Sequence, residues 1–125
     1  NGQFHFGLSE DGYLDIEVMS KTQKNIHVTE STKFPVDSWQ HVAFVHTGTS
    51  LKLYRNGRLV NELPANGLSR STSIRSLGIG TKISDSDKGI DRSNPGHWDG
   101  LLDEIAIFNE ALSDEQIREL YQTQQ

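Results

Sequence analysis

Five histidines, 17 acidic residues and no cysteine set the chemistry open to this chain. His5, His27, His41, His46 and His97 show no metal-ligand spacing such as H-x-x-x-H. His41 and His46 fall on opposite faces of a strand, so both read as strand residues with satisfied hydrogen bonds. Asp85, Asp87 and Asp91 have the density of a calcium loop. An EF-hand, however, needs a carboxylate at its twelfth position, and counted from Asp85 that position is Gly96. A solvated loop tip is the expected reading. There is no Ser–His–Asp or phosphate-loop pattern. Trp98, Tyr54 and Tyr13 offer flat faces on which a pyranose could stack, whereas Trp39 reads as core. Trp98, flanked by His97 and Asp99 after a polar loop, is the best exposed candidate, with packing on a sheet edge as the competing reading.

The totals narrow the classes further. A length of 125 residues suits one domain. The formal net charge of −5, with basic residues scattered, argues against nucleic acid. No apolar run approaches the ~20 residues of a membrane-spanning helix. The lack of cysteine rules out disulfides and thiolate zinc but leaves the compartment open. The sequence is already strand-like at Asn1-Gly-Gln-Phe4, which reads as a fragment boundary.

Strands must position these residues. Phe4–Leu8 alternates in character, Ser9-Glu-Asp-Gly12 is turn chemistry, and Leu14, Ile16 and Val18 alternate with acids on the return. Asn25–Val28 is a shorter candidate, and Phe34-Pro35 breaks the pattern. Val42, Phe44 and His46 share one face and Ala43 and Val45 the other; two apolar faces place this strand centrally in its sheet. Leu51 to Arg55, the turn Asn56-Gly57 and Arg58 to Val60 complete an antiparallel meander. Glu62 to Ser73 and Ser84 to Pro95 read as loops, Ser76 to Gly80 as a short strand, and Leu101 to Phe108 as a strand buried on both sides. Ser113-Asp-Glu-Gln116 is a capping box, with Leu112 and Ile117 placed as a staple. It opens a helix whose stripe is Ile117, Leu120 and Tyr121.

Taken together, Trp39-Gln-His-Val-Ala-Phe-Val45, Leu51-Lys-Leu-Tyr-Arg-Asn-Gly57, Leu77-Gly-Ile-Gly80 and Trp98-Asp-Gly-Leu-Leu-Asp-Glu-Ile-Ala-Ile-Phe-Asn-Glu-Ala-Leu-Ser-Asp-Glu-Gln-Ile117 resemble the laminin G-like domains of the concanavalin A-like lectin/glucanase superfamily. The resemblance implies an all-β antiparallel jelly-roll sandwich over residues 1–125 with one short C-terminal helix. It also implies N-terminal strands that this sequence lacks, and unpaired edges that a second chain or a peptide would complete. In such domains an Asp of the last strand often holds calcium, a position that Asp103 matches. Glucanase relatives use an E-x-D-x-x-E strand, which does not occur here, and Asp99 and Asp103 would stand ~13 Å apart at strand rise. The resemblance therefore implies a non-catalytic recognition or adhesion module of an extracellular or cell-surface, bacterial secreted protein. Its ligand would be a glycan or protein met at rim loops through Trp98, Tyr54 and His97. The alternative is an assembly component that captures partner strands, with covalent joining through a lysine such as Lys52 as its extreme form.

Overall fold

The computed structural model describes residues 4–22, 24–70, 76–84 and 86–124. The chain divides into two compact units, one of Phe4–Ser69 with Phe108–Gln125 and the other holding Arg70–Ile107.

In the first unit, β1 (Phe4–Leu8), β2 (Tyr13–Met19) and β3 (Asn25–Lys33) form one antiparallel sheet in that order. Strands β4 (Val42–His46), β5 (Ser50–Arg55) and β6 (Arg58–Pro64) form a second. The β5–β6 register follows from its turn. Arg55 pairs with Arg58, and the two residues between them, Asn56 (φ 51) and Gly57 (φ 73), both take the left-handed backbone that a two-residue hairpin of this twist requires. β3 runs longer than its apolar pattern suggests, and β6 continues to Pro64.

Alternation decides what each face buries. Leu14, Ile16 and Val18 of β2 point inward with Val28, meeting Leu51 and Leu53 of the opposite sheet and Ala65 just beyond β6. The Phe44 ring lies 5.2 Å from Phe4 and 5.1 Å from Phe6, centroid to centroid. Each such side chain contributes about 1.5–3 kcal/mol on burial. The second sheet is covered on its other face too, where Tyr54 and Val45 pack against Ile117 of helix α1 (Asp114–Thr123). This corrects the expectation for β4. It is an edge strand of its sheet, and both its faces are apolar because a layer lies on each side.

Helix α1 begins as its sequence predicts. Gln116 N–H donates to Ser113 Oγ (3.2 Å), and Ser113 N–H donates to Gln116 Oε1 (2.8 Å). Leu112 and Ile117 join the same apolar cluster.

The second unit contains no named strand or helix among its described residues. Backbone hydrogen bonds close it: Trp98 N–H to Gly80 O (2.9 Å), Lys82 N–H to Pro95 O (2.8 Å) and Asp91 N–H to Lys82 O (2.9 Å). An isolated bridge joins Ile83 and Ile90. Ser76–Gly80 bends instead of forming a strand, although a Cβ on Gly78 would meet Thr81 O at 2.4 Å, a close backbone approach of the kind its glycines suggest. The expected buried strand Leu101–Phe108 is neither a strand nor buried. A strand needs a ladder, and no described residue pairs with this one. Residues Ser71–Ser73 of the expected loop, and Asp85, lie outside the described residues.

Candidate functional site

Four groups of polar or aromatic side chains and one apolar groove could carry function. The first ties the two sheets. Glu30 occupies a core-facing position of β3, where its carboxylate is 3% exposed. Arg55 Nε donates to both its oxygens (2.8 and 2.9 Å) and Nη2 to Oε1 (2.6 Å). Gln40 Oε1 accepts from Arg55 Nη1 (3.2 Å) and from Asn56 Nδ2 (2.9 Å). The guanidinium is held above its ordinary range by the hydrogen bonds to Glu30. A fully paired, enclosed ion pair of this kind is framework.

The second group sits where β5 meets α1. Asp114 Oδ1 accepts from Lys52 Nζ (3.0 Å) and from Tyr54 OH (2.7 Å). The hydrogen bonds from Tyr54 and Lys52 hold the Asp114 carboxyl below its usual range, and burial pushes the Tyr54 phenol up. Tyr54 thus corrects the expectation of a ligand platform, because a fully buried ring has no face to offer a sugar. The hydrogen bond from Lys52 to Asp114 raises the Lys52 pKa, which favours its ammonium form.

A third group covers the outer face of the first sheet, and sequence reading missed it. The register sets His5, Glu17 and His27 in one cross-strand row. His5 Nδ1 lies 3.2 Å from Glu17 Oε2, and His27 Nδ1 lies 3.2 Å from Asp15 Oδ2. Thr29 Oγ1 donates to Asp15 Oδ1 (2.5 Å), and Asn25 Nδ2 donates to Glu17. The signal lay in the alternation of acids along β2, but only the strand register could pair them.

The remaining histidines split. His46 Nδ1 accepts from Gly48 N–H (3.2 Å), which leaves the proton on Nε2 to donate to Ala65 O (2.9 Å). His41, by contrast, corrects the expectation of full satisfaction. Its ring packs 5.9 Å from Tyr121, its Nδ1 is buried without a partner among the described residues, and burial holds its pKa below the ordinary value.

The fourth group is the loop of the second unit. Asp91 Oδ1 accepts from Ser93 N–H (3.0 Å), Ser93 Oγ (2.6 Å) and Asn94 N–H (3.2 Å), which lowers its pKa. Asp87 Oδ1 accepts from Ser76 N–H (3.1 Å). The loop uses these carboxylates to hold its own backbone. Trp98 is half-buried, with Nε1 enclosed and unpaired among the described residues, and His97 beside it is exposed. Trp39, expected in the core, is instead 65% exposed, because the β3–β4 connection carries it outward. Asp103 is exposed, and its Oδ1 accepts from Glu104 N–H (2.8 Å). Among the described residues no group of three or more His, Asp or Glu is arranged to hold a metal ion.

The fifth feature is apolar. A shallow groove of about 300 Å³ runs beside α1, lined by Phe108, Leu112, Gln116, Glu119, Leu120 and Thr123. No helix among the described residues is long and apolar enough to cross a membrane.

Comparison with known proteins agrees with this architecture. Residues 1–118 match the family described as the concanavalin A-like lectin/glucanases superfamily, laminin G type. Among solved structures, the chain is similar to residues 221–444 of an S-layer domain-containing protein from Clostridium thermocellum, with a TM-score of 0.55 and 25% sequence identity. That match covers 88% of this chain, which spans about half (52%) of the other. No curated protein matches the chain. Six strands in two facing antiparallel sheets, a capped C-terminal helix and the match over residues 1–118 together place the chain in the laminin G-like family of the concanavalin A-like superfamily.

Proposed function

We propose that the chain is a non-catalytic recognition module of a cell-surface protein, with the loop bearing His97 and Trp98 as its ligand-contacting rim. Family membership and the likeness to a domain of an S-layer domain-containing protein support the surface setting. The observation that carries the rim assignment is the state of Trp98. Its side chain is partly exposed on a loop fixed through its own backbone to Gly80, beside an exposed imidazole. An indole presented on hydrogen-bonded backbone can stack on the apolar face of a pyranose with little ordering cost. A glycan array probed with the wild-type chain, Trp98→Ala and His97→Ala tests this reading. Binding of a defined glycan class, lost in Trp98→Ala and weakened in His97→Ala while the circular dichroism spectrum is kept, is the expected result. Equal binding by Trp98→Ala and wild type would remove the rim from consideration.

A further inference from the structure

We infer that His41 is an acid-sensitive latch: its neutral imidazole fastens the C-terminal half of α1 to the second sheet, and protonation of that ring loosens the half-helix. His41 continues the row of Ala43 and Val45, the face of β4 that α1 covers. Its backbone is pinned, because His41 N–H donates to Asn56 Oδ1 (3.0 Å) and His41 O accepts from Asn56 N–H (2.8 Å). The ring lies 5.9 Å from that of Tyr121, centroid to centroid, and a Cβ on Gly57 would meet Tyr121 Cδ1 at 3.1 Å. Tyr121, in the last turn of α1, thus packs against both the imidazole and the β5–β6 turn. Within this packing His41 Nδ1 is enclosed and has no hydrogen-bond partner among the described residues. A neutral ring can leave that nitrogen as a bare lone pair. An imidazolium must place an N–H and part of a positive charge there, with no acceptor to meet them. It either bears that cost or turns away from Tyr121. The other histidines of this unit are differently placed: His5 and His27 lie against Glu17 and Asp15, and His46 has both ring nitrogens partnered.

The charged groups around the ring do not rescue the imidazolium. On α1, Arg118 stands against the β5–β6 turn, and Asp114 is engaged by Lys52 and Tyr54. On the turn, Arg58 is a further cation and Arg55 is spent on Glu30. Asp37, on the connection that leads into β4, is exposed, as are Glu115 and Glu119 of the helix. No carboxylate is hydrogen-bonded to the His41 ring among the described residues, and burial alone holds its pKa below 6.5. A histidine depressed in the folded state keeps its full contribution above pH 6.5 and loses it as the pH falls from there through the folded value. Asp114, which ties the first turn of α1, titrates below 3.8. The helix therefore has two fastenings that yield in order, and between the two windows its C-terminal half is loosened while its first turn stays tied. The whole chain is followed by NMR from pH 7.5 to 5.0, reading the His41 ring and amide exchange along α1 after correction for the intrinsic effect of pH on exchange. Opening of residues 118–123, relative to that of β2, is expected to rise at least about threefold, with the His41 ring titrating below its ordinary value. His41→Phe keeps an aromatic ring on Tyr121 and cannot be protonated, so it should abolish the rise; His5→Gln/His27→Gln should keep it. Flat protection of α1 in the wild type would overturn the inference. So would a His41 ring titrating at or above 6.5, as one held by attraction to the Tyr121 π-face would. A rise that survives in His41→Phe, or vanishes in the double variant, would do the same. The first two readouts need only the wild-type chain and hold even where His41→Phe does not fold.

Discussion

Replacing Arg55 with Met tests whether the two sheets are fastened where β3 faces β5. The Glu30 carboxylate is 3% exposed, and three of its hydrogen bonds come from Arg55; without the guanidinium it keeps, among the described residues, only that from Thr32 Oγ1 (3.0 Å). Removing one member of an enclosed pair costs about 3–5 kcal/mol, because the survivor is left charged and unsolvated. Arg55 is itself 21% exposed, so water can reach part of the site, and the lower end, about 3 kcal/mol, is the expected value. For a chain of this size that lowers the melting temperature by roughly 10 °C. The control is the double variant Glu30→Leu/Arg55→Met, which removes both charges and should stay within about 1 kcal/mol of wild type. Urea unfolding followed by far-ultraviolet circular dichroism measures both. A loss below about 1 kcal/mol in Arg55→Met, or a double variant as unstable as the single, would show that solvent already screens the pair and that the sheets are held by apolar packing alone.

Two further outcomes follow from the contacts of α1. The folded-state pKa of Asp114 lies below its unfolded value, so its contribution is present above about pH 3.8 and lost as the pH falls through the lower, folded value. Acid titration should therefore destabilise wild type in that range more than Asp114→Asn, by roughly 1 kcal/mol once the exposure of the carboxyl is allowed for, and equal acid slopes would refute the pairing. Gly57→Ala places a Cβ at positive φ and 3.2 Å from Arg118 Cα, so it should cost about 1–2 kcal/mol and shift the amide resonances of α1; a neutral substitution would mean that the hairpin does not touch the helix.

The meanders, the two-residue turn and the helix start were legible because each is written locally, in alternation, in Asn56-Gly57 and in the Ser113–Gln116 box. Local pattern also gave the inward leucines of β5. What it could not give was anything set by a partner from far along the chain. Tyr54 reads as an exposed aromatic until α1 covers it, some sixty residues later, and supplies Asp114 to its hydroxyl. Trp39 reads as core, yet its surroundings are decided by the course of the β3–β4 connection. Glu30 lies beyond the strand read at Asn25–Val28, and the partner that holds it in the core lies on the other sheet. Leu101–Phe108 failed for the opposite reason. Its composition describes a strand accurately, but a strand is a property of two segments, and no described residue is the second.

The distribution of satisfied groups limits where recognition can act. In the larger unit, the outer face of the second sheet is occupied by α1. The outer face of the first sheet is a row in which His5, Asn25, His27 and Thr29 already answer Asp15 and Glu17. A ligand landing on either face must displace contacts that the protein has made, and each displaced charge-assisted hydrogen bond weakens binding by about 1.5–3 kcal/mol. The side chains of His97 and Trp98 carry no such commitment among the described residues: one is exposed, the other partly exposed with its Nε1 unpaired. Contact made there adds interactions without breaking any. Substitutions at Trp98 should accordingly alter binding while leaving the unfolding transition of the two-sheet core unchanged, whereas substitutions at Glu30 or Tyr54 should move that transition first.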